Sequence, residues 1–303
     1  MFLNKIKNNY ECDYIDSSVH SGIPKQYYHL KNKHFNDWEI APWELFIFSN
    51  KLLGEGSFSK VYLAKWRETF VVAKVIKPEI LEEKKFLLLR EIDIMSKLHH
   101  PNIVQFLGYI DNPFIIVMEY IPNKNLQENN SLLYKSSKIS IMKDILKGLA
   151  YIHNRRPYSL IHRDIKPTNI ILTNSKVAKI TDFGLSKFYS LTKTFSNNDL
   201  SKINNNINEL YENDLTCDVG TFRFMAPEMK KQIIYNNKID IYSCGVLLYE
   251  MFENKKFIDK SQIYWYRTPK IIRNIILNYM LEDDPNNRYD AIALLKILNR
   301  NKL

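Results

Sequence analysis

The chain has 303 residues, of which 45% are hydrophobic and 25% charged, an ordinary composition for a globular protein large enough to form two lobes. Its formal charge of +10 would suit nucleic acid, a membrane surface or acidic substrates. Lysine and asparagine are simply abundant and no nucleic-acid-binding pattern occurs, so we expect no nucleic-acid partner.

The cysteines and the apolar runs indicate the compartment. Cys12, Cys217 and Cys244 are odd in number and widely spaced, which argues against a disulfide framework and against structural zinc. No apolar run reaches the roughly 20 residues that a membrane span needs, and the first residues lack the apolar core of a signal peptide. We therefore expect a soluble, cytoplasmic protein without a membrane span. The sequence does not indicate its oligomeric state.

The first third of the folded chain is predicted to be rich in strands. Residues 1–42 are polar and are expected to form an extension. The segments 43–66 and 70–76 then predict strands around a glycine turn. Residues 79–98 predict a helix, with Leu87, Glu91, Met95 and Leu98 on one face. Two further strands are expected in "IVQFLGYI" and "FIIVMEYI".

The rest of the chain has helical character. In "SKISIMKDILKGLAYIHN" one helix face carries Ile139, Met142, Leu146, Leu149 and His153. The segments "KIDIYSCGVLLYEMF", "IIRNIILNYML" and "YDAIALLKILNR" also suit helices. A stretch rich in asparagine, serine and lysine interrupts this pattern between Leu191 and Asp214.

Two charged residues of the strand-rich part need partners. Lys74 is centred in the apolar strand "VVAKVI", and Glu91 lies on the apolar face of the helix. Because an unpaired buried charge is expensive, we predict that they pair. Taken singly, either residue could be solvated, and Gly54 and Gly56 could belong to any hairpin. Together they favour an anion site whose turn amides face phosphate oxygens.

A second group of polar residues lies in the helical part. The segment "IHRDIKPTNIIL" at 161–172 brings Asp164, Lys166 and Asn169 together between apolar flanks. Asp182 follows a strand-like run in "TDFGLSK". Carboxylate and carboxamide oxygens are the ligands that Mg²⁺ prefers, and Asn169 and Asp182 would supply both kinds. Either residue could otherwise be a plain turn residue.

Taken in order, these motifs resemble a eukaryotic-type protein kinase from about residue 43 to the end of the chain. The matching pieces are "GEGSFSKV", "VVAK", Glu91, "HRDIKPTN", "DFG", "GTFRFMAPE", "KIDIYSCGV" and Arg288 in "DPNNRY". "GTFRFMAPE" and "WEIAPWELFIFSNKLLGEG" look closest to the tyrosine-kinase-like group of Ser/Thr kinases.

The resemblance implies an α+β, bilobal protein-kinase fold. Its kinase domain would cover residues 43–303. A small antiparallel-sheet N-lobe with one main helix would span about 43–121, and a larger helical C-lobe about 122–303. The activation segment, 182–228, would be long and rich in asparagine.

The resemblance also implies the reaction, which is transfer of the γ-phosphate of ATP to Ser/Thr hydroxyls of protein substrates. Asp164 would act as the catalytic base, and Lys166 would neutralise the migrating phosphoryl group. Asn169 and Asp182 would hold Mg²⁺, with Mn²⁺ as an alternative.

Binding of the nucleotide is implied at a further set of positions. Lys74, steadied by Glu91, would hold the α- and β-phosphates. Met118 would be the gatekeeper, and the neighbouring backbone would bond the adenine edge. The residues implied to bind ATP are Leu53, Gly54, Glu55, Gly56, Ser57, Val61, Val72, Lys74, Met118, Glu119, Ile121 and Ile171.

Supporting roles follow from the same resemblance. Arg163 would pair with a phosphate on the activation segment, for which Thr216 is the leading candidate. Asp240 would brace the catalytic loop, and Glu228 would pair with Arg288.

Three functions remain to be weighed. The first is an active Ser/Thr kinase, for which Lys166 and Thr221 are typical. The second is a pseudokinase scaffold, although the lysine, both aspartates and the asparagine of the active enzymes are all retained. The third is a small-molecule phosphotransferase of related fold, a class that generally lacks the "APE" segment. Two residues depart from the usual pattern: Ser59 replaces the third loop glycine, and Val72 replaces the usual alanine.

Overall fold

A computed structural model describes residues 37–156, 158–190, 222–231 and 235–301. They fall into two compact units, one made of residues up to His99 with Val104–Tyr120, the other of His100–Ile103 and the chain from Ile121 onwards. The expectations for Thr216, Cys217, Thr221 and most of the long activation segment lie outside the described residues, as do those for residues 1–36.

The first unit is built on a five-stranded antiparallel sheet with the order β1-β2-β3-β5-β4. Its strands are β1 (Leu45–Glu55), β2 (Ser59–Trp66), β3 (Thr69–Ile76), β4 (Phe106–Ile110) and β5 (Ile115–Glu119). The strand-rich N-terminal part and the helical part that follows confirm the predicted α+β class.

The side chains on the two faces of β3 differ in burial. Val71, Ala73 and Val75 are fully buried in the core of the sheet, which also contains Ile40. Since side chains alternate along a strand, Val72 and Lys74 share the opposite face. Both are only partly buried, and the strand therefore presents one cation from an otherwise apolar surface.

Helix α1 (Pro78–Met95) carries the main helical stripe of this unit. Proline at its first position costs no intrahelical hydrogen bond there. Leu88, Ile92 and Met95 are buried at the spacing of one helix face, and Glu91 lies on the same face with 4% exposure. The helix thus brings a carboxylate to the apolar side of the unit.

Gly108, in β4, permits a close chain crossing in the first unit. Its φ is +156°, and a Cβ there would lie 2.6 Å from the carbonyl oxygen of Trp38 and 2.7 Å from the side chain of Ile40. The neighbouring strand edge is closed by the bonds Ile40 N to Tyr109 O and Tyr109 N to Trp38 O.

We therefore expect Gly108→Ala to lower the free energy of unfolding by about 2 kcal/mol, through steric overlap and backbone strain. The measurement is urea unfolding, with Gly54→Ala as control, since nothing lies within 4 Å of a Cβ at Gly54. Equal destabilisation by the two substitutions would contradict the close approach of Trp38.

The second unit is mainly helical. Its helices are α2 (Leu126–Asn129), α3 (Lys135–His153), α4 (Pro227–Lys230), α5 (Lys238–Glu253), α6 (Lys270–Ile275) and α7 (Ala291–Arg300), with a π-helical turn at Ile276–Met280. Short 3₁₀ turns include Pro167–Asn169 and Phe222–Phe224. Almost every residue of α5 is buried, so this helix is the centre of the unit. Among the described residues, no helix combines the length and the apolarity of a membrane span.

Two short two-stranded sheets in the second unit hold the loops that carry its polar residues. Strands β6 (Tyr158–Ile161) and β9 (Lys187–Ser190) pair antiparallel. Strands β7 (Ile170–Leu172) and β8 (Ala178–Ile180) also pair, with Ile170 opposite Ile180. The register of this second pair places the residue before β7 next to the residue after β8.

Candidate active site

In the first unit, an ion pair joins the strand cation to the helix carboxylate. Lys74 Nζ lies 2.7 Å from Glu91 Oε1, and the two side chains are 16% and 4% exposed. The pair fixes the ammonium group on the face of β3 that also carries Val72. In the strand register, Val61 is opposite Lys74 and Met118 is opposite Val72, so all four side chains share one surface.

The glycine turn beside this surface has empty space around its backbone. Gly56 N donates to Ser59 O at 2.9 Å, which closes the turn. Nothing lies within 4 Å of a Cβ at Gly54, and at Gly56 the nearest atom is Ser59 O at 4.0 Å. The glycines therefore leave room in which a phosphate could approach the backbone. Leu53, Glu55 and Ser57 are exposed around this space.

Lys77 anchors the turn, a role that no sequence pattern predicted. Its Nζ donates to Gly56 O at 3.0 Å and its backbone N donates to Phe58 O at 3.0 Å. Its ammonium also lies 3.6 Å from Glu55. The only sequence signal was a cation directly before the helix-starting Pro78.

Part of the hydrogen-bonding capacity at the end of β5 is already used within the protein. Glu119 N donates to Gln105 O at 2.9 Å, and Glu119 Oε1 accepts from Gln105 N at 2.7 Å. A role of Glu119 at the adenine edge would therefore fall to its carbonyl oxygen. Ile121 and Ile171 belong to the second unit, where Ile171 is half-buried and bridges to Asn125.

In the second unit, Asp164 is a buried carboxylate held by its neighbours. It is 6% exposed. Its Oδ2 accepts from Asn169 Nδ2 at 2.8 Å and lies 2.8 Å from Lys166 Nζ. Its Oδ1 is buried and has no hydrogen-bond partner among the described residues. One carboxylate oxygen is thus fixed by two donors while the other remains as an acceptor.

Asn169 and Asp182 form a donor set that suits a hard cation. Asn169 Nδ2 donates to both Asp164 O and Asp164 Oδ2, which turns the amide so that its Oδ1 faces away from them. Thr181 N donates to Asn169 O at 3.0 Å, so the residue before Asp182 is tied to Asn169. One amide oxygen and one exposed carboxylate fit the oxygen ligands of Mg²⁺.

The backbone at Asp182 is unusual and is held from both sides. Its φ is +67°, in the left-handed region that aspartate tolerates better than most residues. Phe183 is buried and its ring meets that of His162 edge-on, with centroids 4.8 Å apart. His162 Nε2 contacts Thr181 O at 3.1 Å. Buried packing therefore fixes the turn that presents the carboxylate.

Asp240, from α5, braces the loop that carries Asp164. It is fully buried, and its two oxygens accept from the backbone N–H groups of His162 and Arg163, each at 2.8 Å. His153 Nε2 lies 2.8 Å from the same carboxylate. Arg163 has a φ of +71°, and its guanidinium also donates to Tyr235 OH. The bracing carboxylate holds this strained backbone in place.

Burial alone would raise the pKa of Asp240, but the hydrogen bond with His153 and the nearby imidazoles and backbone donor lower it below its usual value. A carboxyl whose pKa is lower in the folded protein stabilises the fold above the unfolded pKa, about 3.9. That contribution is lost as the pH falls through the folded pKa.

We therefore expect the free energy of unfolding to fall as the pH drops below about 4, and to fall less steeply in Asp240→Asn. At neutral pH the variant should be about 2 kcal/mol less stable, because buried donors lose a charged acceptor. Urea unfolding at a series of pH values tests both statements. The exposed Asp111→Asn is the control; an acid dependence of Asp240→Asn equal to that of the wild type would refute the assignment.

Two histidines of this region were not identified from the sequence. His162 accepts from Asp164 N through its Nδ1 at 3.2 Å, and His153 meets Asp240. Position on the apolar face of a predicted helix was the available signal for His153. For His162 the signal was its place between an apolar strand and Arg163.

Comparison with known proteins identifies related sequences. The model of the protein kinase domain matches residues 48–301. The chain is 36% identical over 228 residues to serine/threonine-protein kinase VIK of Arabidopsis thaliana, which covers 72% of this chain and 48% of that protein. It is 33% identical over 228 residues to serine/threonine-protein kinase CTR1 of the same plant, covering 71% and 25%.

A viral relative is similar as well. The chain is 32% identical over 244 residues to the putative serine/threonine-protein kinase/receptor R826 of Acanthamoeba polyphaga mimivirus, covering 78% of this chain and 13% of that protein. The chain spans about half, or less, of the length of these curated relatives.

Proposed function

Because the chain belongs to the protein kinase family, we propose that it transfers the γ-phosphate of ATP to serine and threonine hydroxyls of proteins. The predicted family, a eukaryotic-type Ser/Thr kinase of the tyrosine-kinase-like group, is confirmed. The observation that carries the proposed activity is Asp164, whose Oδ2 is fixed by two donors and whose Oδ1 is a buried acceptor without a partner among the described residues.

Asp164 Oδ1 is proposed to accept the hydroxyl proton of the substrate as the new O–P bond forms and the bond to the leaving phosphate breaks. The contacts of Oδ2 with Lys166 and Asn169 support this role, because they leave the other oxygen with one orientation. Lys166, 23% exposed at its side chain, is proposed to neutralise charge on the migrating phosphoryl group.

Asn169 and Asp182 are proposed to hold the metal ion, most fittingly Mg²⁺, with Mn²⁺ as an alternative. When bound, the ion supplies positive charge that neutralises the phosphates of ATP. What supports this is the amide orientation of Asn169 and its tie to the residue before Asp182. The chain's own part is to present two oxygens with little freedom to move.

Lys74 is proposed to bind the α- and β-phosphates, with Glu91 keeping its ammonium in position. The open space at Gly54 and Gly56 would accept phosphate oxygens, and the surface formed by Val61, Val72 and Met118 would pack against the adenine. Leu53, Glu55, Ser57 and the carbonyl of Glu119 are proposed as further nucleotide contacts in the first unit. The nucleotide contacts expected of Ile121 and Ile171, in the second unit, stay predictions from the family resemblance.

The preference for serine and threonine is supported by Lys166 and by the names of the relatives. The cysteine usage supports a location in the cytoplasm. No described feature favours the pseudokinase, because Lys74, Asp164, Asn169 and Asp182 are all present.

Transfer of labelled γ-phosphate tests the proposal. The chain is incubated with Mg²⁺ and with one acidic and one basic generic protein, and the labelled amino acids are identified after hydrolysis. We expect phosphoserine and phosphothreonine, abolished by a metal chelator and absent from an Asp164→Asn preparation. Binding of ATP without any transfer would support the scaffold, and phosphotyrosine alone would contradict the proposed specificity.

A further inference from the structure

A cavity of about 460 Å³ lies beside the loop that carries Asp164, within the second unit. Lys166, Pro167 and Thr168 form one wall. The opposite side includes Arg223 and the end of α5 with the residues after it. The cavity therefore lies within reach of a chain whose hydroxyl approaches Asp164, because Lys166 both lines the cavity and lies 2.8 Å from Asp164 Oδ2.

Of the residues that line this cavity, Glu250 is the one acidic side chain, and it is already neutralised. Arg223 Nε donates to Glu250 Oε1 at 2.6 Å, and Arg223 Nη2 to Glu250 Oε2 at 3.3 Å. Phe257 N also donates to Glu250 Oε1 at 2.9 Å. A carboxylate with both oxygens engaged in this way has little capacity left for a cationic ligand.

The three lysines that line the cavity differ in whether a carboxylate neutralises them. Lys166 pairs with Asp164. Lys255 and Lys256 are exposed, and neither has a carboxylate partner within the described part of the chain. Lys255 lies over the ring of Tyr266, 4.8 Å from its centroid, which restricts the ammonium without neutralising it. Two positive charges are therefore left facing a bound ligand.

A second cavity, of about 230 Å³, shares Asn130 and Asn254 with the first and continues the positive surface. Its lining includes Lys135, Lys138 and Arg267 and, among the described residues, no acidic side chain. Burial lowers the pKa of Lys138, the charge of Arg267 lowers it further, and the charge of Glu253 acts in the opposite direction. The positive surface is thus larger than one lysine pair.

We infer that this cavity selects protein substrates that carry an anionic side chain, a carboxylate or a phosphate, close to the accepting hydroxyl. The inference rests on the proposed kinase activity and names its substrate class. Lys255 and Lys256 supply the attraction, and Arg223 removes the one charge that would favour a basic residue at the same place.

Matched peptides test the inference. A serine peptide with neutral neighbours is compared with peptides that carry aspartate, phosphoserine or arginine at each flanking position in turn. We expect kcat/KM to rise about tenfold for the best anionic position and to fall for arginine at that position, since two partly solvated pairs would form. The aspartate and phosphoserine series distinguish a carboxylate from a phosphate subsite.

Charge reversal shows whether the two lysines are responsible. In Lys255→Glu with Lys256→Glu, the ratio of kcat/KM for the acidic peptide to that for the arginine peptide should invert. The matched control is Lys296→Glu with Arg300→Glu, which changes the net charge equally at two exposed residues of α7. It should leave the ratio as in the wild type. An unchanged ratio in the first variant overturns the inference, even if transfer itself is robust.

A binding measurement separates failure of the inference from failure of the proposed activity. Fluorescence anisotropy of the labelled acidic peptide, without nucleotide, should show weaker binding to Lys255→Glu with Lys256→Glu than to the control variant. Weakened binding supports the cavity even in a protein that transfers no phosphate. Equal binding by both variants would mean that Lys255 and Lys256 do not hold the acidic peptide, and would overturn the inference. Equal affinity of the wild type for a single-stranded oligonucleotide would mean a general polyanion surface and would overturn it as well.

Discussion

Asp164→Asn is expected to lower kcat about a thousandfold and to change the affinity for ATP little. The asparagine can keep its oxygen at the position of Oδ2, where Lys166 and Asn169 supply donors. Its amide nitrogen then occupies the position of Oδ1, the atom that has no partner among the described residues. An acceptor becomes a donor at the one place where the proposed proton transfer needs an acceptor.

The two readouts of this variant separate chemistry from folding. ATP affinity, followed with a fluorescent analogue, should stay within a few-fold of the wild type, because the proposed metal ligands Asn169 and Asp182 are unchanged. Single-turnover transfer should show the full loss. A loss of nucleotide binding equal to the loss of kcat would mean that the loop itself had been disrupted.

Asp144 offers a matched control for this substitution. It is another buried aspartate of the second unit, 7% exposed, and its carboxylate accepts from Ala178 N and pairs with Lys147. Asp144→Asn makes the same chemical change away from the proposed phosphoryl-transfer site. We expect kcat to fall by less than about threefold, since the cost falls on stability and not on proton transfer. A similar kcat for the two variants would contradict the role of Asp164.

Part of the site could be predicted from the sequence because burying an unpaired charge is energetically costly. A lysine in an apolar strand and a glutamate on an apolar helix face each need an opposite charge, and Lys74 and Glu91 are found 2.7 Å apart. The contact of Asn169 O with the N–H of Thr181, the residue before Asp182, is equally local, since one short hairpin with Ile170 opposite Ile180 forms it. In both cases the partners lie within a single supersecondary element.

Other parts of the site depend on distances that no local pattern encodes. Asp240 accepts from the backbone of His162 and Arg163, 78 and 77 residues earlier in the chain. Only the family resemblance suggested that contact. Lys77 and His162 were missed because their partners are backbone atoms, which leave no mark in the sequence. A contact of this kind, between a helix side chain and a distant loop, depends on how the helices pack and cannot be predicted from a local pattern.

The positive charge shows the same limit. Composition gave a net charge of +10, which the abundance of lysine explained adequately. The spatial arrangement adds what composition cannot, namely that Lys255 and Lys256 line one cavity with Lys166 while Glu250 is paired with Arg223. A charged residue can select a substrate only where the fold places it next to that substrate, and composition does not give that placement.

Arg288→Ala is expected to lower the free energy of unfolding by about 4 kcal/mol, a large part of the stability of an ordinary domain. The guanidinium is fully buried, and each of its three nitrogens donates a hydrogen bond. Two nitrogens meet the carboxylate of Glu228, at 2.6 and 2.9 Å. The carbonyl oxygens of Lys238, Glu282 and Asp283 accept the remaining bonds. Alanine would leave a buried carboxylate and three carbonyls without these donors.

The guanidinium shape matters as well as its charge. Its planar fork reaches Glu228 on one side and three carbonyls on the others, and its carbon lies 5.0 Å from the ring centroid of Tyr242. An ammonium on a flexible stem cannot reproduce that set, so Arg288→Lys should recover only part of the loss. Arg300→Ala, an exposed arginine of α7, is the control and should stay within about 0.5 kcal/mol of the wild type.

A double-mutant cycle isolates the ion pair from the packing around it. Glu228→Leu alone leaves the buried guanidinium uncompensated, as Arg288→Met alone leaves the buried carboxylate. The two together remove both charges, so we expect the double variant to be more stable than the sum of the single losses predicts. Urea unfolding of the four proteins measures the coupling. Strict additivity would mean that Glu228 and Arg288 are stabilised independently of each other, contrary to their distances and burial.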